Sequence, residues 1–221
     1  MKSGLKSVLC FGDSNTWGYI PLHGGRYEYS ARWTTLLEQM LPANWQVINE
    51  GLPGRTTGFH ESIHSPHSGL GYFLPCLEKH QPDIVIIMLG TNDLQSHLSL
   101  SPADIASGAG ELAKYAQFFA HQNQGQPNNV LLVCPTPIDE IGFAAQGFVG
   151  AKAKSMQFHH YFQAKARELD CDYLNAGNVV NVCSIEGVHW PADQHANFAR
   201  AIYQQLAPQL DAELTLAPST D

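Results

Sequence analysis

Ser14 is the residue of this chain best placed to act as a nucleophile. It sits in Phe11-Gly12-Asp13-Ser14-Asn15-Thr16-Trp17-Gly18, where an apolar run gives way to polar residues. That pattern fits the junction of a strand and a helix, where backbone N–H groups point outward and the helix dipole favours developing negative charge. A hydroxyl is a weak nucleophile until a base takes its proton. His189, in Glu186-Gly187-Val188-His189-Trp190, is the candidate base, and Glu186 three residues earlier can hold the ring's tautomer. Charge developing on a carbonyl oxygen needs donors. The Ser14 N–H, the Gly51 N–H and the side-chain amide of Asn92, in Gly90-Thr91-Asn92-Asp93, are expected to supply them. These residue types point to acyl transfer through a serine.

Plainer readings compete with each of these. Ser14 could be a helix cap, Gly51 a bare turn glycine and Asn92 an Asx turn. Asp13 is expected to shape its turn and Asp93 to be structural. His195 lies in the first turns of a helical stretch and reads as packing. Trp17, Tyr19, Phe143, Phe148 and Trp190, with Tyr72 and Phe73, could line an apolar acyl or aryl pocket, although core packing suits such aromatics equally well.

Other chemistries find no matching pattern. His60, His64 and His67 share a segment with Pro66 and several serines that reads as a loop without an HExxH pattern, so no metal is expected. Ser14 lacks the trailing glycine of G-x-S-x-G. Gly108-Ala109-Gly110 falls inside a helical stretch, which argues against a dinucleotide site.

The elements that must position these residues alternate. Short apolar runs at 8–11, 47–49, 84–89, 130–134 and 172–174 are separated by helix-length stretches at 30–41, 70–80, 101–122, 151–170 and 192–207. The third run is apolar at every position, as in a strand covered on both faces. Trp33, Leu36, Leu37 and Met40 keep helical spacing. Ser101-Pro102-Ala103-Asp104 reads as a helix start. Strands alternating with helices imply parallel crossovers and a three-layer α/β/α sandwich. In such folds ligands lie beyond the carboxyl ends of the strands, where Ser14, Gly51 and Asn92 fall.

The 221 residues suit a single domain spanning 1–221. Charged residues make up only 14 %, against roughly 25 % in typical domains, and 12 Lys+Arg against 20 Asp+Glu give −8. That balance argues against nucleic acid and anionic membranes as partners. Five scattered cysteines without a CxxC pair suit a reducing compartment. With no membrane-length apolar run and too short an initial apolar stretch for a signal peptide, a cytoplasmic protein is expected.

Taken together, the four polar segments resemble the SGNH (GDSL-type) hydrolases, whose signature Ser, Gly, Asn and His match Ser14, Gly51, Asn92 and His189 in order and spacing. GDSNTWGY, RYEYSARWTTLLEQ, EGLPGRTT and GYFLPCLEKHQPDIVIIMLGTND are similar to the arylesterase/perhydrolase-like branch of small bacterial members. The resemblance implies a flavodoxin-like fold with a parallel five-stranded sheet, metal-free and cofactor-free hydrolysis of short-acyl or aryl carboxylic esters, and a homo-oligomer that narrows the mouth of the site. Carbohydrate O-deacetylation, thioester or lysophospholipid cleavage and non-catalytic binding of acylated ligands remain alternatives. One position departs from the family pattern, which usually carries Asp-x-x-His where this chain has Glu186.

Overall fold

The computed structural model describes residues 4–59, 62, 64–124, 129–142 and 144–216. Five strands, β1 (Lys6–Gly12), β2 (Trp45–Gly51), β3 (Ile84–Met88), β4 (Asn129–Cys134) and β5 (Asp172–Asn175), form one sheet in the order β2-β1-β3-β4-β5. Every pairing is parallel. Gly12 lies opposite both Gly51 and Met88, so the carboxyl ends of the three strands that lead to the site finish level.

Alternation along the strands builds two cores. Leu9, Phe11, Val85, Ile87, Val130 and Leu132 face one side. There they pack against α3 (Gly69–His80), α4 (Pro102–Gln124) and α7 (Phe158–Glu168), through residues such as Phe73, Leu112 and Phe162. Val8, Cys10, Ile84, Ile86, Leu131 and Val133 face the other side. They meet α2 (Trp33–Met40) and α8 (Ala192–Leu216) through Trp33, Leu37, Phe198, Ile202 and Leu206. Burying each large apolar side chain contributes about 1.5–3 kcal/mol, so both layers hold the sheet firmly. The α/β/α sandwich and the five-stranded parallel sheet are those expected from the sequence.

Helix boundaries differ where a side chain or a tertiary contact intervenes. The stretch 151–170 divides into α6 (Ala151–Ser155) and α7. At the break the Ser155 hydroxyl donates back to Lys152 O at 3.0 Å and accepts from Ile138 N–H at 3.1 Å. A serine that bonds backbone in this way competes with helix continuation. Conversely, α8 runs on past Pro208, because Leu206 and Leu210 on either side of it stay buried against the sheet. Two short helices, α1 (Ser14–Trp17) and α5 (Ala144–Gly147), had no periodic signal. Among the described residues no helix is long and apolar enough to cross a membrane.

Candidate active site

The strand order reverses between β1 and β3, and the crevice of an open α/β sheet forms at such a point. Ser14 opens α1 directly after β1, and Asn92 opens a 3-10 turn (Asn92–Leu94) after β3. Asp13 caps α1 by accepting from Asn15 N–H at 3.0 Å. Burial pushes the Asp13 carboxyl up to about 6.

Three side chains form a continuous chain of hydrogen bonds. His189 Nε2 lies 2.9 Å from Ser14 Oγ, and His189 Nδ1 is in close contact with Glu186 Oε1. The second carboxylate oxygen accepts the backbone N–H of His189 at 2.8 Å and that of Val188 at 3.4 Å. Burial alone would raise the Glu186 pKa. The hydrogen bonds and charge of His189 outweigh it and hold the carboxyl below its ordinary value. The glutamate carboxylate, one methylene farther from its backbone than that of an aspartate, reaches both the ring and the backbone N–H of His189. The loop that carries both residues is closed by Cys183 N–H to His189 O at 2.8 Å and Gly187 N–H to Cys183 O at 2.7 Å.

Asn15 fastens this loop to the start of α1. Its Nδ2 donates to Val188 O at 3.3 Å, and its Oδ1 accepts from Trp190 N–H at 3.1 Å. Both peptides flanking His189 are therefore held by the residue next to Ser14. The ring of Tyr19 stacks on the His189 imidazole, with centroids 4.1 Å apart.

On the opposite wall, Asn92 Nδ2 donates to Arg55 O at 3.0 Å, which places its amide against the turn 52–55. Arg55 is buried and ties the strand ends together. Its Nη1 donates to Gly12 O at 3.2 Å and to Glu50 O, its Nε donates to Pro66 O at 3.3 Å, and its guanidinium lies over the Phe11 ring. Asp93 accepts from Thr57 N–H at 3.0 Å and from Thr57 Oγ1 at 2.5 Å, and burial pushes its pKa up to about 7.

Gly51 is placed differently from the sequence expectation. Its N–H donates to Asn49 Oδ1 at 2.9 Å and is therefore engaged. A Cβ there would lie 2.3 Å from Trp17 N, so the glycine is needed for β2 to approach α1. The neighbouring N–H that does lack a partner among the described residues is that of Gly54. It sits at φ +81° in the turn closed by Arg55 N–H to Leu52 O at 3.1 Å.

A model of the GDSL-like lipase/acylhydrolase family matches residues 10–208. The chain belongs to that family. Among solved structures, a carbohydrate acetylesterase from Sinorhizobium meliloti is 33 % identical with a TM-score of 0.85, over 92 % of this chain and 99 % of that one. An aryl esterase of M. smegmatis is 32 % identical with a TM-score of 0.85, over the same 92 % and 99 %. A second carbohydrate acetylesterase family member from S. meliloti is 28 % identical with a TM-score of 0.85, over 94 % and 100 %. No relative was found among curated proteins.

Of the aromatics considered for the acylhydrolase's pocket, Tyr19 reaches the site and Trp17 lies beside it, with ring centroids 6.5 Å apart. Trp190 and Phe148 belong to the two cores. Trp190 is 1 % exposed and packs on Phe198, and Phe148 is 6 % exposed within the α3–α4–α7 core. Tyr72 and Phe73 stack around Phe11. Phe143 and His60 lie outside the described residues. Asn15 and Arg55 were missed because their contacts depend on partners distant in sequence, and Gly54 because the direction of a backbone N–H is not written in the sequence. Only the arginine and glycine of Gly54-Arg55-Thr56-Thr57 gave any signal.

One group of metal-type donors occurs among the described residues, namely Glu50, Cys76 and His80, with ligand atoms within 4.8 Å of one another. Its carboxylate already meets His80 Nε2 at 2.7 Å and Lys79 Nζ at 3.6 Å, with Arg55 bonded to the same residue's carbonyl. Burial, then Glu50, pushes the Cys76 thiol up to about 12. Two neighbouring cations and a protonated thiol make a poor cation site.

Proposed function

We propose that the protein is a serine esterase acting on short-acyl carboxylic esters through an acyl-enzyme on Ser14. The observation that carries this reading is the unbroken chain from Glu186 through His189 to Ser14 Oγ. Ser14 Oγ attacks the ester carbonyl carbon while its proton passes to His189 Nε2. Glu186 holds the ring with Nδ1–H toward the carboxylate and steadies the imidazolium. The oxyanion is received by the N–H of Ser14, the Asn92 amide and, in place of Gly51, the N–H of Gly54. His189 then returns the proton to the alkoxide, the C–O bond breaks and the alcohol leaves. Water attacks the acyl-enzyme, gives its proton to His189, and the carboxylic acid departs as Ser14 regains its hydrogen.

Several side chains have defined supporting roles. Tyr19 covers one face of the working imidazole and excludes water from it. Arg55 keeps the ends of β1 and β2 and the Asn92 amide in fixed relation. The aryl esterase and the carbohydrate acetylesterases among the relatives support a small acyl group and leave two kinds of alcohol open.

The test is Ser14→Ala assayed with p-nitrophenyl acetate and labelled with a fluorophosphonate. The expected result is loss of labelling and a fall in kcat approaching the roughly 10⁶-fold known for a deleted serine nucleophile. Activity within tenfold of the wild type overturns the mechanism.

A further inference from the structure

The loop between α1 and α2 brings two arginines to one cavity. Arg26 and Arg32 line a space of about 230 Å³ together with Tyr29, Thr34, Glu38 and Asn49. None of Ser14, Asn92, Glu186 and His189 belongs to its wall. Both guanidiniums are held in place by the protein itself. Arg26 Nε donates to Trp17 O at 2.7 Å, and its guanidinium lies 5.1 Å from the Trp17 ring centre. Arg32 Nε donates to Tyr27 O at 2.8 Å, and its guanidinium lies 5.7 Å from the Tyr29 ring centre. The Arg32 stem rests on Gly18, where a Cβ would meet its Cγ at 3.0 Å. These contacts use the Nε atoms and the flat faces of the two groups. Among the described residues no hydrogen bond and no ion pair engages the Nη atoms of either arginine. Burial, then the charge of Arg32, lowers the Arg26 pKa, so two like charges face one cavity without a counter-ion.

We propose that this cavity binds a phosphate group, either inorganic phosphate or the phosphate of a small monoester, whether or not Ser14 turns over esters.

The number of donors selects the ligand. One guanidinium fork is satisfied by the two oxygens of a carboxylate, whereas two forks call for the three or four oxygens of a phosphate. Thr34 adds to them. It is buried, its Oγ1 accepts from Asn49 Nδ2 at 2.8 Å, and its own hydroxyl proton has no acceptor among the described residues. Glu38 is the carboxylate of the wall, and both its oxygens are engaged. Oε1 accepts from Val47 N–H at 2.8 Å and Oε2 from Tyr29 OH at 3.1 Å. Two positive charges against one negative leave the cavity cationic in a chain whose net charge is −8. Its volume falls below the roughly 300–1,000 Å³ of drug-sized pockets, which suits a small anion. Because both side chains are fixed beforehand, binding costs little side-chain entropy. The same loop carries Tyr19, whose backbone bridges that of Arg26 and whose ring stacks on His189. A bound phosphate thus braces a loop that also touches the reaction centre.

The experiment is calorimetric titration of the wild type with sodium phosphate, glycerol phosphate and sodium acetate, with chloride holding the ionic strength constant. Saturable binding of a phosphate is expected, with acetate weaker by about tenfold or more. Arg26→Gln and Arg32→Gln, with melting curves in chloride to confirm folding, are each expected to lower the affinity about tenfold or more. Tighter binding of sodium phosphate identifies the free ion as the ligand, and tighter binding of glycerol phosphate identifies a monoester. Should the variants fail to fold, hydrogen–deuterium exchange of the wild type decides, and phosphate is expected to slow exchange within residues 18–35. Absence of saturable binding, acetate binding as tightly as phosphate, affinity unchanged in both folded variants, or protection confined to other segments overturns the site. p-Nitrophenyl acetate turnover, measured alongside, tests the esterase reading separately.

Discussion

At the scale of single residues, Glu186 does three things with one carboxylate. It bonds the His189 ring, the His189 backbone N–H and, more weakly, the Val188 N–H. Replacing it by glutamine keeps the shape and removes the charge that steadies the imidazolium. It also lets the amide donate toward Nδ1 and favour the wrong tautomer. Glu186→Gln is therefore expected to lower kcat on p-nitrophenyl acetate by about 10⁴-fold, the loss known for the equivalent change in a Ser-His-Asp triad. Steady-state kinetics decide it, and a change below threefold would remove Glu186 from the mechanism. The charged partner here is an aspartate lengthened by one methylene. That length is tolerated because the loop supplies two backbone donors to the carboxylate.

At the scale of elements, the contact that matters is between α1 and the loop 183–190. Asn15 spans it with one donor and one acceptor, which ties the turn holding Ser14 to the loop holding His189. Asn15→Leu breaks both bonds inside a buried site. A misplacement of about 1 Å in a reacting group costs about 10²-fold in rate. A fall in kcat of that order with KM within threefold is the expected kinetic signature, and a variant that loses KM and kcat in parallel would show that Asn15 contacts substrate instead. The strands were legible in the sequence because burial on both faces writes an uninterrupted apolar run such as Ile84–Met88. Ser14 and Asn92 were legible because each follows such a run within a dense polar motif, and His189 because its Glu186-Gly187-Val188-His189 motif stands just ahead of the last helix. The clasp by Asn15 was not, since a short polar residue after a serine has no periodicity and its partners lie 173 and 175 residues away. Nor could the direction of the Gly51 N–H be read. A glycine can be needed for its amide or for its missing side chain, and here the close approach of Trp17 decides for the latter.

At the scale of the whole molecule, buried ionisable groups set how the fold responds to pH. His195 is fully buried behind Trp190, accepts from Trp33 N–H at 3.4 Å, and burial lowers its pKa from 6.5 to about 4. The folded pKa lies below the unfolded one, so the unfolded chain binds this proton more readily. Its contribution is complete above pH 6.5 and is lost as pH falls toward 4. Asp13 and Asp93 act in the opposite sense, since their raised folded values favour the protonated native state as pH falls. Comparing the wild type with His195→Leu isolates the first effect. The stability difference between them is expected to shrink by about 3 kcal/mol between pH 7 and pH 4, measured by urea unfolding at each pH. A difference that stays constant would mean that the ring is not held neutral.

The span of the triad has a consequence for how this chain becomes active. Ser14 and His189 stand 175 residues apart in sequence, and the sheet that brings them together has β2 at one edge, β5 at the other and β3 at its centre. Closing so long a loop is among the late and slow steps of folding for a non-local topology. In the growing chain the segments of β1 to β3, with Ser14 and Asn92, are made before the segment that carries His189. The Ser14 hydroxyl therefore has no His189 beside it until the segment leading into α8 docks.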